Sequence, residues 1–310
     1  MKIIVSISLL SSLALLVGCN STTAGSDDGL GNVSLKFSTS SAQTSKSIIA
    51  SSAVNTRSLI STPVSGITVT DTSGNISGTI DLNSAWVVIK DIGFEAEGEV
   101  HTTDSTSTST DDSELEFIGP YVLDVLTGTT YPDLSQIDIG AGSYRNIKIN
   151  IEKLAAADAG NITNLATDVA NKLASYSLYL AGTYTSADGT SYVDIPFSLS
   201  LSDEVEFSFA GSSSPKAFVI EDQGQNDIII AFNLDEWFAF NNSETNSDSL
   251  LLESAITSSG SSYELVLDNS TNSTIMEVIK DNIEESAKYG KDKNGDGELE
   301  HDENNDITDD

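Results

Sequence analysis

The chain has 310 residues, with 47 Asp and Glu against 14 Lys and Arg, and therefore a formal net charge of −33. This charge argues strongly against a nucleic-acid partner and against docking on anionic lipid headgroups, because both would repel the protein. The single cysteine leaves no second thiol for a disulfide. The acid excess is typical of a protein that binds divalent cations, but a need for solubility alone would explain it equally well.

The N-terminus has the parts of a secretory signal. Lys2 is followed by a mostly apolar run over residues 3–17, which is too short to cross a hydrocarbon core of ~30 Å comfortably. The motif Leu16-Val17-Gly18-Cys19 then resembles the lipobox of bacterial lipoprotein signals. The resemblance implies that residues 1–18 are removed, that Cys19 is lipidated, and that the lipid anchors the chain to a membrane.

The segment after the cysteine is predicted to be a flexible tether. Residues 19–32 consist mostly of Ser, Thr, Gly and Asp, a composition typical of linkers. By the lipoprotein resemblance, Asn20 favours the outer membrane of a Gram-negative bacterium. The sequence therefore predicts a lipid-anchored protein of the cell envelope.

Residues 33–268 are predicted to form one all-β domain. Apolar and polar residues alternate with the period of half-buried strands, and the turn signal Ser186-Ala-Asp-Gly189 separates two of these runs. Many short alternating strands favour an antiparallel β-sandwich or barrel over a parallel α/β sheet. Residues 161–175 instead have near-helical spacing and predict a short helix over the sheet. The predicted strands cover residues 32–38, 86–97, 147–151, 178–184, 193–201, 205–209 and 228–234.

Three motifs of this domain carry a family resemblance. They are Trp86-Val-Val-Ile-Lys-Asp-Ile-Gly93, Tyr121-Val-Leu-Asp-Val-Leu-Thr-Gly128 and Gly142-Ser-Tyr-Arg-Asn-Ile-Lys-Ile149. The block over residues 86–154, roughly a quarter of the chain, resembles domain-of-unknown-function family 4382, which is common in bacterial lipoproteins. The resemblance implies an all-β domain and brings no established chemistry.

The C-terminal residues 269–310 are predicted to form a helix, a calcium-binding loop and an acidic tail. Thr274-Ile-Met-Glu277 has the pattern of a capping box at the start of the helix. Ile275, Ile279 and Ile283 lie on one helical face, as expected for a helix packed on a core. A helix is therefore expected before the loop.

The twelve residues 292–303 resemble an EF-hand calcium loop at each defining position of that motif. Calcium takes six to eight oxygen ligands from a tightly curled chain, and Gly297 stands where the chain turns sharply. The resemblance implies one Ca²⁺ ion with an affinity on the order of 10⁻⁴–10⁻³ M, as in isolated loops of secreted proteins. An acidic tail without a specific site is the alternative. The implied ligands are the side chains of Asp292, Asn294 and Asp296, the backbone carbonyl of Glu298, Glu300 directly or through water, and both carboxylate oxygens of Glu303.

Catalytic chemistry has little support in the sequence. His101 lies in a stretch of Ser, Thr and Asp, and His301 lies inside the loop, so neither is placed to activate a serine. Glu95 and Glu97 share one strand face at a separation that glycosidases use, although exposed strands of acidic proteins carry such pairs routinely. Trp237 is either exposed, where it could stack on a sugar, or folded back onto the core.

Together these patterns predict a non-catalytic envelope lipoprotein of structural or ligand-binding type, with calcium in its C-terminal loop. Its expected partners are the membrane, calcium, and another envelope protein or a glycan. A carbohydrate-processing hydrolase that uses paired carboxylates on the β-domain is the alternative.

Overall fold

The computed structural model shows a chain that is mainly β in the part that it describes, as the alternating pattern predicts. Cys19 and the other residues up to position 29 lie outside this part. A strand begins at Leu30, so residues 30–32, which the sequence assigns to the tether, belong to a strand. The described residues are 30–41, 44–46, 63–96, 115–134, 137–208, 218–222, 224–242, 251–260, 262–295 and 299.

The described elements are strands joined by turns, with three α-helices. The strands are β1 (Leu30–Ser41), β2 (Thr44–Lys46), β3 (Val64–Thr70), β4 (Ile76–Ala96), β5 (Leu115–Asp124), β6 (Thr129–Tyr131), β7 (Ile137–Gly140), β8 (Gly142–Ile151), β9 (Leu178–Ser186), β10 (Ile195–Leu201), β11 (Val205–Ser208), β12 (Phe218–Ile220), β13 (Gln225–Asn233), β14 (Ile256–Ser259), β15 (Ser262–Asp268) and β16 (Ala287–Lys291). The helices are α1 (Thr167–Leu173), α2 (Leu234–Trp237) and α3 (Ser273–Ser286), and 3₁₀ turns lie at Phe240–Asn242 and Leu252–Ala255.

Strands from both ends of the chain form the smaller sheet. Its order is β16-β13-β1-β2, and β7 also pairs with β1. β1 runs parallel to β13 from the Asn32–Gln225 pair to the Ser40–Asn233 pair, whereas β16 runs antiparallel to β13. A parallel pair needs a long connection, and here about 190 residues separate the two partners.

The larger sheet is organised around the long strand β4. Its order is β11-β8-β4-β9-β10-β15-β14, with β3 and β5 also paired to β4, β6 to β5 and β12 to β8. Because β10 and β15 are parallel, this sheet is mixed as well. The prediction of an antiparallel fold is therefore wrong at the β1–β13 and β10–β15 pairs. Alternation shows which face of a strand is buried, and it carries no information on the direction of the neighbouring strand.

One hydrophobic core is shared by both sheets. It contains residues of β1 and β13, such as Phe37 and Ile230, together with residues of β4 and β10, such as Ile80 and Leu199. α3 adds Ile279 and further apolar residues to the same core. The segment after residue 268 thus packs with the strands that precede it.

A second, smaller apolar cluster covers the opposite face of β4. Val87 and Ile89 belong to the main core, while Val88 between them belongs to the second cluster together with Leu173. The strand is therefore buried on both faces here, as is typical of a continuously apolar run such as Trp86-Val-Val-Ile89. The helix α1, which carries Leu173, confirms the helix predicted within residues 161–175.

The helix before the loop is present, but its start differs from the prediction. α3 begins at Ser273, and the preceding Asn272 makes no side-chain cap hydrogen bond. The capping box predicted from Thr274 is therefore wrong, because the helix begins one residue earlier. The predicted apolar face is confirmed, since all three of its residues are buried: Ile275, Ile279 and Ile283.

Candidate functional site

The last strand, β16, leads directly into the candidate calcium loop. β16 pairs with β13 up to the Ile228–Lys291 pair. The next residue, Asp292, extends this ladder, because its N–H donates to the backbone carbonyl of Asp227 at 2.9 Å. An EF-hand places a helix directly before its loop, whereas a strand of five residues stands here. The candidate loop therefore starts from the backbone of a sheet.

The first predicted ligand, Asp292, is buried and paired with a lysine of β1. The side chain of Asp292 is 0% exposed, and its Oδ2 lies 2.9 Å from Nζ of Lys36. The same ammonium lies 2.8 Å from Oδ2 of Asp227. Burial lowers the pKa of Lys36, but the hydrogen bonds and charges of the two carboxylates outweigh burial and raise that pKa above its ordinary value. A charged lysine therefore joins β1, β13 and the start of the loop.

The second carboxylate oxygen of Asp292 shapes the beginning of the loop. Oδ1 accepts the N–H of Gly295 at 2.6 Å, and Gly295 has a φ of +79°. Such a bond from a backbone N–H to an Asp side chain closes a tight turn, and glycine adopts the left-handed conformation without a steric penalty. The chain therefore turns at Gly295, two residues before Gly297, where the calcium-loop pattern requires its sharp turn.

The described start of the loop holds two of the predicted calcium ligands, Asp292 and Asn294. Lys36 neutralises one oxygen of the buried Asp292 carboxylate, while the other oxygen lies on the turn next to Gly295. Asn294, the second predicted ligand, is exposed on that turn. Carboxylate and amide oxygens are the donors that calcium prefers. These two side chains are of the donor type that calcium prefers, and the two Asp292 oxygens accept hydrogen bonds from Lys36 and from Gly295.

The rest of the predicted ligand set lies beyond the residues that the structure describes. Among the described residues, no group of three or more His, Cys, Asp or Glu is arranged to hold a metal ion. The structure instead brings the first ligand together with Lys36 and Asp227. The predicted site residues without a described position are Asp296, Glu298, Glu300, Glu303 and the lipidation residue Cys19.

Sequence reasoning missed Lys36 because no local signal identifies it. Lys36 occupies a polar position of an alternating strand, a pattern that predicts an exposed side chain, yet the residue is only 8% exposed. Its two partners, Asp227 and Asp292, are 191 and 256 residues away in the chain. Contacts over such separations depend on how the sheet assembles.

Trp237 is a core residue and not a surface platform. It is 0% exposed, and its Nε1 donates a hydrogen bond to Oγ of Ser286 at 2.7 Å. β13 ends at Asn233, and α2 then turns the indole back over the sheet. The interpretation that Trp237 folds back onto the core is confirmed, and the sugar-stacking interpretation is wrong.

The paired carboxylates proposed for hydrolysis stay a prediction. Glu95 lies in β4, and Glu97 falls in a stretch that the structure does not describe, as do both histidines. A surface cleft of about 420 Å³ has three other carboxylates in its wall, Asp91, Glu152 and Asp158. Glu152 Oε2 lies 2.8 Å from Nζ of Lys90, and Asp91 Oδ1 accepts Nδ2–H of Asn150 at 2.5 Å. Because neighbouring side chains hold Glu152 and Asp91, this pair gives the hydrolase alternative no support.

Comparison of the chain with protein-family models, with curated proteins and with solved structures gives no match. Within the described ranges, no helix has the length and apolar character needed to cross a membrane. The chain's own residues, above all Asp292 and its partners, therefore carry the functional information.

Proposed function

We propose that this chain is a non-catalytic lipoprotein of the cell envelope, anchored through a lipidated Cys19, with one calcium ion bound in its C-terminal loop. Its role is structural or ligand-binding, with another envelope protein or a glycan as the partner. The observation that supports the calcium part is the turn at Asp292, a buried carboxylate whose Oδ1 accepts the N–H of Gly295 at 2.6 Å. The motif that ends in Cys19 supports the anchor.

The loop residues of the EF-hand pattern would hold the ion. Asp292 would contribute its oxygen from a fixed position, because Lys36 and the β13 backbone hold that residue in place. When bound, calcium would supply a counter-charge to the acidic loop and fix its curled backbone. The further ligands are those of the motif, namely Asn294, Asp296, Glu298, Glu300 and Glu303.

We also propose that the two sheets pack face to face as a β-sandwich. Apolar side chains of both sheets share one core, as they do in two-layer β folds. The resemblance to domain-of-unknown-function family 4382 implies the same all-β class. The calcium loop would then be a short appendage at the end of one strand of the sandwich.

Isothermal titration calorimetry on residues 20–310 tests the calcium proposal. We expect saturable binding of one calcium ion with a Kd on the order of 10⁻⁴–10⁻³ M, which magnesium does not reproduce. Glu303→Gln should raise the Kd roughly tenfold or more, because it removes the charged bidentate ligand. Asp310→Asn makes the same charge change outside the loop and should leave the Kd within about twofold. Diffuse heat that salt abolishes, or equal losses in both variants, would reduce the loop to an acidic tail.

Mass spectrometry of the protein extracted from membranes tests the anchor. We expect acyl chains on Cys19 in the natural chain and none in Cys19→Ser, because the thiol is the acceptor of the lipid. Ser21→Ala is the matched control and should keep the lipid. Acyl chains on the Cys19→Ser variant would refute the assignment.

A further inference from the structure

Four aromatic side chains lie together at the outer face of the larger sheet, beside the second apolar cluster. Trp86 and Tyr179 belong to this face, because the residues on either side of each are buried in the main core. Both rings are half-buried, as are those of Tyr131 and Tyr176. The ring centroids of Trp86 and Tyr131 are 6.2 Å apart, and those of Tyr176 and Tyr179 are 6.5 Å apart. These four residues are termed the aromatic band.

The register of the strands places polar side chains next to the band. Trp86 lies opposite Tyr179 of β9 and opposite Asp124 of β5. Tyr179 lies opposite Ser200 of β10, and Ser200 lies opposite Asp268 of β15. Directly opposite residues share one face of a sheet. The result is a row across five strands, with two aromatic rings in the middle and a carboxylate at each end.

The next row on the same face carries small side chains. Ser84 stands two residues before Trp86 on β4. It lies opposite Ala181 of β9, which lies opposite Ser198 of β10. Nε1 of Trp86 donates a hydrogen bond to Oγ of Ser84 at 3.0 Å, so the indole leans towards this row and its polar atom is bonded inside the protein. Trp86 therefore offers a ligand the apolar surface of its ring, and the small neighbours leave space beside it.

A lysine of α1 lies against the other end of the band. Nζ of Lys172 is 4.0 Å from the ring centroid of Tyr179, a distance at which the ring attracts a cation. The ring of Tyr176 stacks on Tyr179 as well, with 24° between the two planes. Lys172 and Tyr176 thus hold Tyr179 in place, which leaves Trp86 as the ring best placed to stack on a ligand.

We propose that the aromatic band binds a neutral glycan, with Trp86 as the platform on which a sugar ring stacks. This inference rests on the ligand-binding role proposed above, and it requires neither calcium nor the lipid. The C–H face of a sugar ring is apolar and packs on an aromatic ring, while the hydroxyl groups of the sugar reach polar side chains around that ring. Ser198 and Ser200 supply such groups on β10.

Charge decides between a neutral glycan and other ligands that stack on aromatic rings. The row ends in Asp124 and Asp268, and the whole chain has a net charge of −33. Nucleotides and acidic glycans carry phosphate, carboxylate or sulfate groups, which these charges repel. A neutral sugar meets no such repulsion, and its hydroxyl groups can donate hydrogen bonds to carboxylate oxygens. The site therefore fits uncharged oligosaccharides best.

A glycan array probed with residues 20–310 tests this site. The array carries neutral oligosaccharides of glucose, mannose, galactose and N-acetylglucosamine beside uronate and sulfated oligosaccharides. We expect binding to neutral glycans, and calorimetry then gives the Kd for the glycan that binds most tightly. Trp86→Ala should raise this Kd about tenfold or more, because it removes the stacking surface. Tyr263→Ala, which removes an exposed ring outside the band, should leave the Kd within about twofold.

Hydroxyl-radical footprinting of the natural chain gives a second test, which decides the matter if Trp86→Ala does not fold. At a concentration of the same glycan about ten times its Kd, oxidation of Trp86 should slow by about three- to elevenfold, because the bound sugar covers the ring. Tyr263 is the internal control and should be oxidised at an unchanged rate.

The possible failures are distinguishable. Absence of binding to every neutral glycan would overturn this site and remove the glycan from the proposed function, in favour of a protein partner. Tighter binding of acidic glycans would overturn the choice of a neutral ligand. Binding of a neutral glycan that neither needs Trp86 nor protects it from oxidation would overturn the site alone and leave glycan binding as a function of the chain. The calcium ion and the lipid anchor are decided by their own experiments in each case.

Discussion

The antiparallel pairing of β4 and β9 leaves no room for a side chain at Gly182. A Cβ atom at this position would lie 1.8 Å from the backbone oxygen of Asp81 and 2.9 Å from Cα of Leu82. The two backbones approach closely where β4 is irregular, since the register shifts between Leu82 and Ser84. We therefore expect Gly182→Ala to break the pairing of these strands locally.

The distances give the magnitude of this effect. Real Cβ atoms essentially never approach another heavy atom within 3.0 Å, so the backbones must separate by at least 3.0 minus 1.8, or about 1.2 Å. Such a shift stretches one or two ladder hydrogen bonds beyond their normal range. Overpacking costs about 1–3 kcal/mol and each lost bond about 1 kcal/mol, so the free energy of unfolding should fall by about 3–5 kcal/mol. This is a large part of the roughly 5–15 kcal/mol that stabilises an ordinary domain.

Urea unfolding of residues 20–310, followed by circular dichroism, measures this loss. Gly93→Ala is the matched control, because Gly93 lies in β4, the partner strand of Gly182, and a Cβ there would meet nothing within 4 Å. This control should leave stability unchanged or raise it by up to about 1 kcal/mol, since alanine restricts the unfolded chain. Equal midpoints for the two variants would refute the close approach of β4 and β9.

Three further predictions concern side chains that the fold holds in place. Trp237→Phe should cost about 1–2 kcal/mol in urea unfolding, because it removes the hydrogen bond to Ser286 and some buried surface. In a double-mutant cycle, its coupling to Ser286→Ala should be about 1 kcal/mol, and additive effects would contradict the contact. Burial raises the pKa of Asp124 despite hydrogen bonds to its carboxylate, so the folded state loses stability from this group as pH rises through the raised pKa. Asp124→Asn should therefore be more stable than the natural chain at pH 7, with the difference vanishing below the ordinary pKa, and a pH-independent difference would refute this origin. Hydrogen bonds from the Ser270 side chain and then from Thr271 lower the pKa of Asp268 to about 2. The Asp268 carboxylate therefore stabilises the fold above its ordinary pKa, and this stabilisation is lost as pH falls through about 2. An NMR titration of the Asp268 carboxyl carbon that gave the ordinary pKa would contradict this prediction.

The strands could be predicted because alternation records which side chains face the core. Leu178, Leu180 and Tyr184 alternate in the sequence, and all three are buried in β9. The same signal placed β13 close to its observed bounds, and it found the end of β8 but not its start, which lies at Gly142. Local chemistry also explains α3, whose apolar residues recur at helical spacing.

The partners of these strands could not be predicted, because pairing depends on contacts between distant segments. β1 and β13 carry similar alternating patterns, which would suit an antiparallel pair as well as the observed parallel one. The candidate site has the same limit. The ligand pattern around Asp292 is local and visible in the sequence, whereas its pairing with Lys36 arises only when β1 and β16 flank the same strand.

The parallel pair of β1 and β13 imposes an order on how the protein forms. The ribosome makes β1 about 190 residues before its partner, which at about 5–20 residues per second is a delay of about 10–40 s. During that time β1 presents an unpaired edge, a hazard for association with other chains. The smaller sheet must therefore close late, after β13 has been made. A chain that is truncated before residue 225 would carry a β1 without its β13 partner.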